Sequence, residues 1–590
     1  MNAVWNLDVI YQGFSDPAFV GDMEVLQEVV NGFAAFAGEL ESLDTLEGLR
    51  GGIAWEEKLM TLGTKLAGYV QLRQSVNTRD TECSSRLGQV MQLMGSAAGS
   101  EAVWKQWSAS RDDLMDQVSQ DPGLKEYTFL FENLRKDSVH LLGQLGEQIS
   151  AQMSLSGSSA WSEMHGYLTS TVPVAYNGSV TNLPGIRNLA YDADPEVRKA
   201  AYEAELACYE KIQDPVAFAL NSIKLETISD CRLRGYSSPL DRTLEQSYMK
   251  RETLEAMMSA IGEYLPKFRQ YLKAKGKALG HENGIPWYDL FAPMGQAGKT
   301  YTIEEAREVL VELFTGFDEE LARMIQTAFD DAWIDFYPRD GKVGGAFCEA
   351  VDSVGESRIL LNFDGQFSTV DTLAHELGHA FHNQCVRSHL PLNKQYSMPV
   401  AETASIFNEC VVMAAAIDRA ESREEKLALM ESQLQALTQI IVDIYSRYLF
   451  ETMVFENRES RFLSAADLCG LMLQAQEQSY GDGLDPNCRH PYMWICKPHY
   501  YGPTFYNFPY SFGGLFARGL YARYQKEGAS FVPKYKKLLY TTPVATAEDT
   551  AKVADIDLTD KAFWRGALQI IADDIDRFCE LVQEVSEKRR

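Results

Sequence analysis

The chain has 590 residues, 45% of them hydrophobic, with 55 Lys and Arg against 83 Asp and Glu. A net charge of −28 argues against nucleic acid and against anionic membrane surfaces as partners. The length allows two to four domains, or one large multi-lobed unit with a sizeable core.

The N-terminal stretch MNAVWNLDVIYQGFSDPAF has no basic segment followed by an apolar run, so no signal peptide is expected. No uninterrupted apolar run approaches the ~20 residues that a membrane span needs. Ten cysteines are scattered without a C-x-x-C pair. They read as reduced thiols packed as small apolar residues, and the expected compartment is the cytosol.

The dominant pattern is helical. Residues 22–48, 53–77, 83–118 and 124–155 carry apolar positions at three- and four-residue spacing. Gly51-Gly52 and Asp121-Pro122-Gly123 read as turns between them. Residues 1–155 are therefore expected to form an N-terminal helical region. Over 156–190 the texture turns to Ser, Gly and β-branched residues, and Asn177-Gly178 is a hairpin signal. A small β-containing junction is expected there, with a catalytic domain over 191–590. Asp194-Pro195 opens a helix, and Thr302 with Glu305 forms a capping box. Gly344–Cys348 and Arg358–Phe363 read as short strands. Ser368–Asp371 reads as a capping-box start for the next helix.

That helix carries His375-Glu376-Leu377-Gly378-His379. Histidines four apart share one helix face, about 5.4 Å apart along the axis, which suits one tetrahedral metal ion. The glutamate between them can act on a water at the open coordination position. Two unrelated surface histidines are the plain alternative. A catalytic zinc usually takes three protein ligands. The solution H-E-x-x-H-x-x-G-x-x-H fails here, because His382 and Cys385 occupy its last two fixed positions. A Glu from a later helix is the other solution, and Glu402 is the candidate. Glu409 is seven residues on, on the same face, placed to hydrogen-bond a ligating histidine. His382 is expected to pack near the site without ligating, and His389 to be ordinary surface.

HELGHAFH, followed by ETAS and Glu409, resembles the M3 family of zinc metallopeptidases. That family usually has Phe at the position of Leu377 and Pro at the position of Ala404, and neither change removes a ligand or a donor. Trp5, Leu7 and Tyr11, the stretch GKVGGAFC with ILLNF, and Pro498–Tyr510 are similar to its oligoendopeptidase F branch. The resemblance spans most of the chain. It implies a mostly α, two-lobed helical fold with a deep central channel and a small sheet beside the HExxH helix. It implies one zinc ion per chain on His375, His379 and Glu402, with Glu376 as general base. It also implies His499, Tyr506 and Tyr510 as donors to the oxyanion or a substrate carbonyl. The segment carries one residue more than the usual pattern, so which Tyr faces the oxyanion stays open, with Tyr500 and Tyr501 as substitutes. Gly513-Gly514 reads as a hinge, a close approach to substrate, or a turn. Strand 344–348 is expected to pair with peptide backbone.

The expected activity is an endopeptidase cutting short peptides. The rivals are another helical zinc hydrolase, such as a carboxypeptidase, and an inactive peptide-binding protein. The intact Glu376 argues against the second, and the lack of a clear group for a terminal charge argues against the first. Mn or Co suits the same ligands. Oligomeric state is open.

Overall fold

The computed structural model describes residues 2–295 and 298–589. The chain forms two compact units that interleave in sequence. The first comprises Met1–His140, Lys299–Val412 and Arg523–Asp555; the second comprises Leu141–Gly298, Met413–Ala522 and Ile556–Arg590. The contiguous division expected from sequence follows chain order, whereas compactness joins distant segments.

In the first unit, α1 (Pro17–Glu39), α2 (Thr45–Val76) and α3 (Thr81–Ala109) pack together. Asp16, Asp44 and Asp80 cap their N-termini through side-chain oxygens. Gly51-Gly52 is not a turn, because α2 runs straight through it. A Cβ on Gly52 would stand 1.9 Å from Trp104 Nε1, and one on Gly51 would stand 2.4 Å from Phe36. Aromatic rings occupy the space that these glycines leave open.

The same unit holds a three-stranded sheet in the order β3-β5-β4. β3 (Ile334–Asp335) runs parallel to β5 (Glu356–Leu360), and β4 (Phe347–Val351) runs antiparallel to it, pairing Phe347 with Leu360 and Val351 with Glu356. β4 starts three residues later than expected. Asn362 Nδ2 donates to the carbonyls of Val343 and Gly345 at 3.0 and 2.8 Å, and Gly345 has φ +80°, so 343–345 turns instead of pairing. The N-terminal segment is tied to this sheet. Phe336 N donates to Ala3 O at 3.0 Å, and the buried Arg358 donates to Asn6 O at 2.8 Å. Against the sheet packs α5 (Phe367–Val386), which buries Val370, Leu373, Leu377 and Phe381. Ser368 does not cap it. Asp364 Oδ1 accepts from Gln366 N and Thr369 Oγ1 instead, at 2.9 and 3.1 Å.

In the second unit, the hairpin of β1 (Val174–Tyr176) and β2 (Ser179–Thr181) turns at Asn177 and Gly178, both with positive φ as expected. The Ser-rich stretch before it is helical over Ser158–Thr171. Its buried His165 stacks 3.6 Å from the Tyr501 ring and donates to the Ile495 carbonyl at 2.8 Å. Tertiary packing overrides the loop-like composition there. The long helices α4 (Arg251–Ala278) and α8 (Lys561–Arg589) pack against each other, with a Lys267–Asp576 ion pair at 2.7 Å.

Candidate metal centre

α5 presents His375, Glu376 and His379 along one stretch of helix. Glu402 follows a single helical turn, Met398–Ala401, and immediately precedes α6 (Thr403–Arg419). Met398–Arg419 is long and apolar enough to cross a membrane, and it carries Glu402 and Glu409. It lies close against α5: a Cβ on Gly378 would stand 2.5 Å from Ala404 O and 2.6 Å from Ser405 Cα. Asn408 Nδ2 also donates to Ala374 O at 3.0 Å. The glycine of HELGH thus lets two helix backbones approach, and Ser405 Oγ donates to Glu402 Oε2 at 2.7 Å. Neither role was visible in the pentad itself.

Three ligand atoms converge. His375 Nε2 and His379 Nε2 are 3.2 Å apart, and each lies 3.3 Å from Glu402 Oε2. Metal–ligand bonds of 2.0–2.1 Å in a tetrahedron separate ligand atoms by about 3.3–3.4 Å. His375 Nδ1 lies 2.6 Å from Glu409 Oε1. A carboxylate can only accept, so Nδ1 carries the proton and the lone pair of Nε2 is turned toward the other two atoms. Three lone-pair donors facing one point repel one another unless a cation sits between them. The donor set fits a divalent metal of the zinc type.

The field of the two carboxylates favours positive charge at this point, which a proton on His375 supplies when no metal does. Burial works against a charged His375, yet Glu402 and Glu409 outweigh it and push the imidazole up to about 10. Burial also opposes the charge on Glu402, but the two histidines hold its carboxyl well below the usual range. Glu376 is buried, and burial raises its carboxyl in spite of His375 and His379.

His382 is fully buried, stacked on Tyr396 at 4.0 Å, with Nε2 2.8 Å from Thr542 Oγ1. Burial pushes it down to about 3, so it stays neutral and packs beside the site as expected. His389 is not surface. It is 5% exposed, stacks on Tyr540, and donates to Tyr540 O at 2.7 Å, with Glu126 Oε1 3.1 Å from Nδ1.

His499, Tyr506 and Tyr510 lie in the second unit and form one ring cluster, with centroids 5.9–6.0 Å apart. His499 Nδ1 is buried without a hydrogen-bond partner among the described residues. Burial, then Arg447 and Lys497, lowers its pKa and keeps the ring neutral. Tyr500 and Tyr501 are core residues. Both are at most 2% exposed, and Tyr501 donates to Trp494 O at 3.0 Å, which commits its hydroxyl within the core. Gly513 and Gly514 are neither turn nor hinge. Both lie within α7 (Phe508–Glu527), where a Cβ on Gly514 would meet Ile440 at 2.5 Å.

A mostly helical scaffold that sets the two histidines of an HExxH helix against a glutamate from a later helical segment is the arrangement of a metallopeptidase. The model of peptidase family M3 matches residues 188–568, and that of Oligopeptidase F matches residues 107–172. Oligopeptidase PepF of Bacillus subtilis (strain 168) is 24% identical over 603 residues, covering 99% of this chain and 88% of its own. Group B oligopeptidase PepB of Streptococcus agalactiae serotype III (strain NEM316) is 23% identical over 528 residues, covering 86% and 85%. The crystal structure of oligoendopeptidase-F from Enterococcus faecium shares the fold, with a TM-score of 0.72 at 18% identity over 96% of this chain and 99% of that one. The chain belongs to peptidase family M3, in its oligoendopeptidase F branch, and is a metalloendopeptidase.

Proposed function

We propose that this chain is a zinc-dependent endopeptidase of short oligopeptides, with one zinc ion held by His375 Nε2, His379 Nε2 and Glu402 Oε2. The carrying observation is the convergence of those three atoms at 3.2–3.3 Å, with the His375 proton committed to Glu409. Bound there, zinc supplies Lewis acidity toward water and a peptide carbonyl. Glu376 takes the proton of the attacking water and passes it to the departing amine nitrogen. Its raised affinity for a proton suits that shuttle. Glu409 fixes the tautomer of His375. His499, Tyr506 and Tyr510 donate hydrogen bonds to the oxyanion or a substrate carbonyl. Their clustering and the unpartnered His499 Nδ1 support this assignment.

Substrate backbone adds to β4, whose outer edge pairs with no strand among the described residues. Backbone pairing binds peptides with little sequence demand. The ten cysteines are free, which fits a reducing compartment such as the cytosol.

A quenched-peptide assay with Glu376→Gln tests the mechanism. The variant should keep its zinc and lose at least about 100-fold in kcat. A zinc-loaded variant cleaving at the parent's rate would falsify the role of Glu376.

A further inference from the structure

The first unit contains a cavity of about 210 Å³ at the far end of β4. Glu349 and Asp352 stand on one side of it, with Thr64, Lys65 and Gly68 of α2 on another and Lys394 at its border. β4 is an edge strand, and its successive side chains point to opposite faces. Cys348 faces α5, where Asn383 Nδ2 is 3.9 Å from its sulfur. Asn383 is one helical turn beyond His379, so this part of the strand lies beside the metal helix. Glu349 is on the other face. Its Oε1 is 4.0 Å from where a Cβ on Gly68 would stand.

The other charges around the cavity are committed. Lys65 pairs with Asp22 at 2.7 Å and lies over the Tyr11 ring. Lys394 pairs with Asp352 at 3.2 Å. Beyond its backbone pairing in the sheet, Glu349 is exposed, and its side chain has no hydrogen bond or ion pair among the described residues. Asp352 stands beside it on the same cavity, so the open carboxylate is placed to meet a substrate cation.

We infer that this cavity is a subsite for a lysine or arginine side chain of the substrate, with Glu349 as the residue that selects it. The inference rests on the peptidase reading and on strand addition to β4. A strand rises about 3.3 Å per residue, so Cys348 and Val351 are separated by roughly 10 Å. The β4 residues that line the cavity begin one past Cys348 and end three past it, at Val351, so the selected residue lies within about three positions of the bond that is cut. Its aliphatic stem lies along the strand and its charged end meets Glu349.

Mass-spectrometric mapping of products from an N-acetylated peptide library tests this with the zinc-loaded full chain. Acetylation removes the terminal amine as a competing cation. The parent should favour Lys and Arg over Asp and Glu at one flanking position by roughly tenfold. Glu349→Gln should flatten that ratio, and Glu349→Lys should invert it. Equal zinc content and unfolding temperature certify each variant as folded. A folded Glu349→Gln that keeps the parent's ratio overturns the proposal, as does a parent with no basic preference at any flanking position. A parent that cleaves nothing in the library removes the peptidase reading itself. An N-methyl group on the flanking amide should abolish cleavage, and unimpaired cleavage of that peptide removes the strand-addition step.

Discussion

A methyl group on Gly378 would stand 2.5 Å from the carbonyl oxygen of Ala404. The pentad and the Glu402 segment are thus locked at backbone distance. Gly378→Ala must push the start of α6 away and carry Glu402 with it. We expect at least tenfold weaker zinc binding, read by chelator competition, with a matching loss in kcat/KM. A Gly378→Ala protein with the parent's zinc affinity would show that this contact does not position the ligand.

Glu409 Oε1 accepts from His375 Nδ1, with the two atoms 2.6 Å apart. Removing such a partner typically costs 10- to 100-fold in metal affinity. Glu409→Ala should show that loss. Glu409→Gln should recover most of it, because an amide oxygen still accepts from Nδ1–H. Equal affinities for the two variants would mean that the tautomer is fixed by something else.

The unfolding temperature should carry the signature of Glu56. Burial is the main cause that raises its carboxyl from 4.5 to about 7, with Lys105 3.9 Å away opposing it. A raised carboxyl binds its proton more tightly in the folded chain. The associated stability is fully present below pH 4.5 and is lost as pH rises through 7, by about 3 kcal/mol. Glu56→Gln removes that dependence. Its Tm should exceed the parent's at pH 8 and match it at pH 4.5. A parallel pair of Tm–pH curves would refute the assignment.

Gly52→Ala addresses packing alone. Its Cβ would sit 1.9 Å from the Trp104 indole nitrogen, which donates to Gly48 O at 3.1 Å. Displacing that ring should cost about 1–3 kcal/mol, seen as a lower midpoint in urea with zinc content unchanged. A midpoint equal to the parent's would mean that Trp104 moves aside freely.

The metal helix was legible because its chemistry is local: one turn of helix sets His375 against His379, whereas Glu402, read onto the helix of Glu409, stands just before it. The capping box at Thr302 and the hairpin at Asn177 were legible for the same reason. What failed was set at a distance. Gly51-Gly52 is a turn signal by composition, and only Trp104 and Phe36 make it a packing site. His389 looked exposed because its partners, Glu126 and Tyr540, are 263 and 151 residues away. Tyr500 and Tyr501 belong to a Tyr-rich run whose buried members no spacing rule separates from the ring cluster.

The interleaving of the units sets an order of events during synthesis. His382 packs against Thr542, 160 residues downstream. At about 5–20 residues per second, a ribosome needs roughly 8–32 s to cover that stretch. For that time the metal helix exists without its packing partner. The metal helix is therefore made before the wall behind it, and a transcript cut short before Arg523 would yield the triad without the surface that supports it.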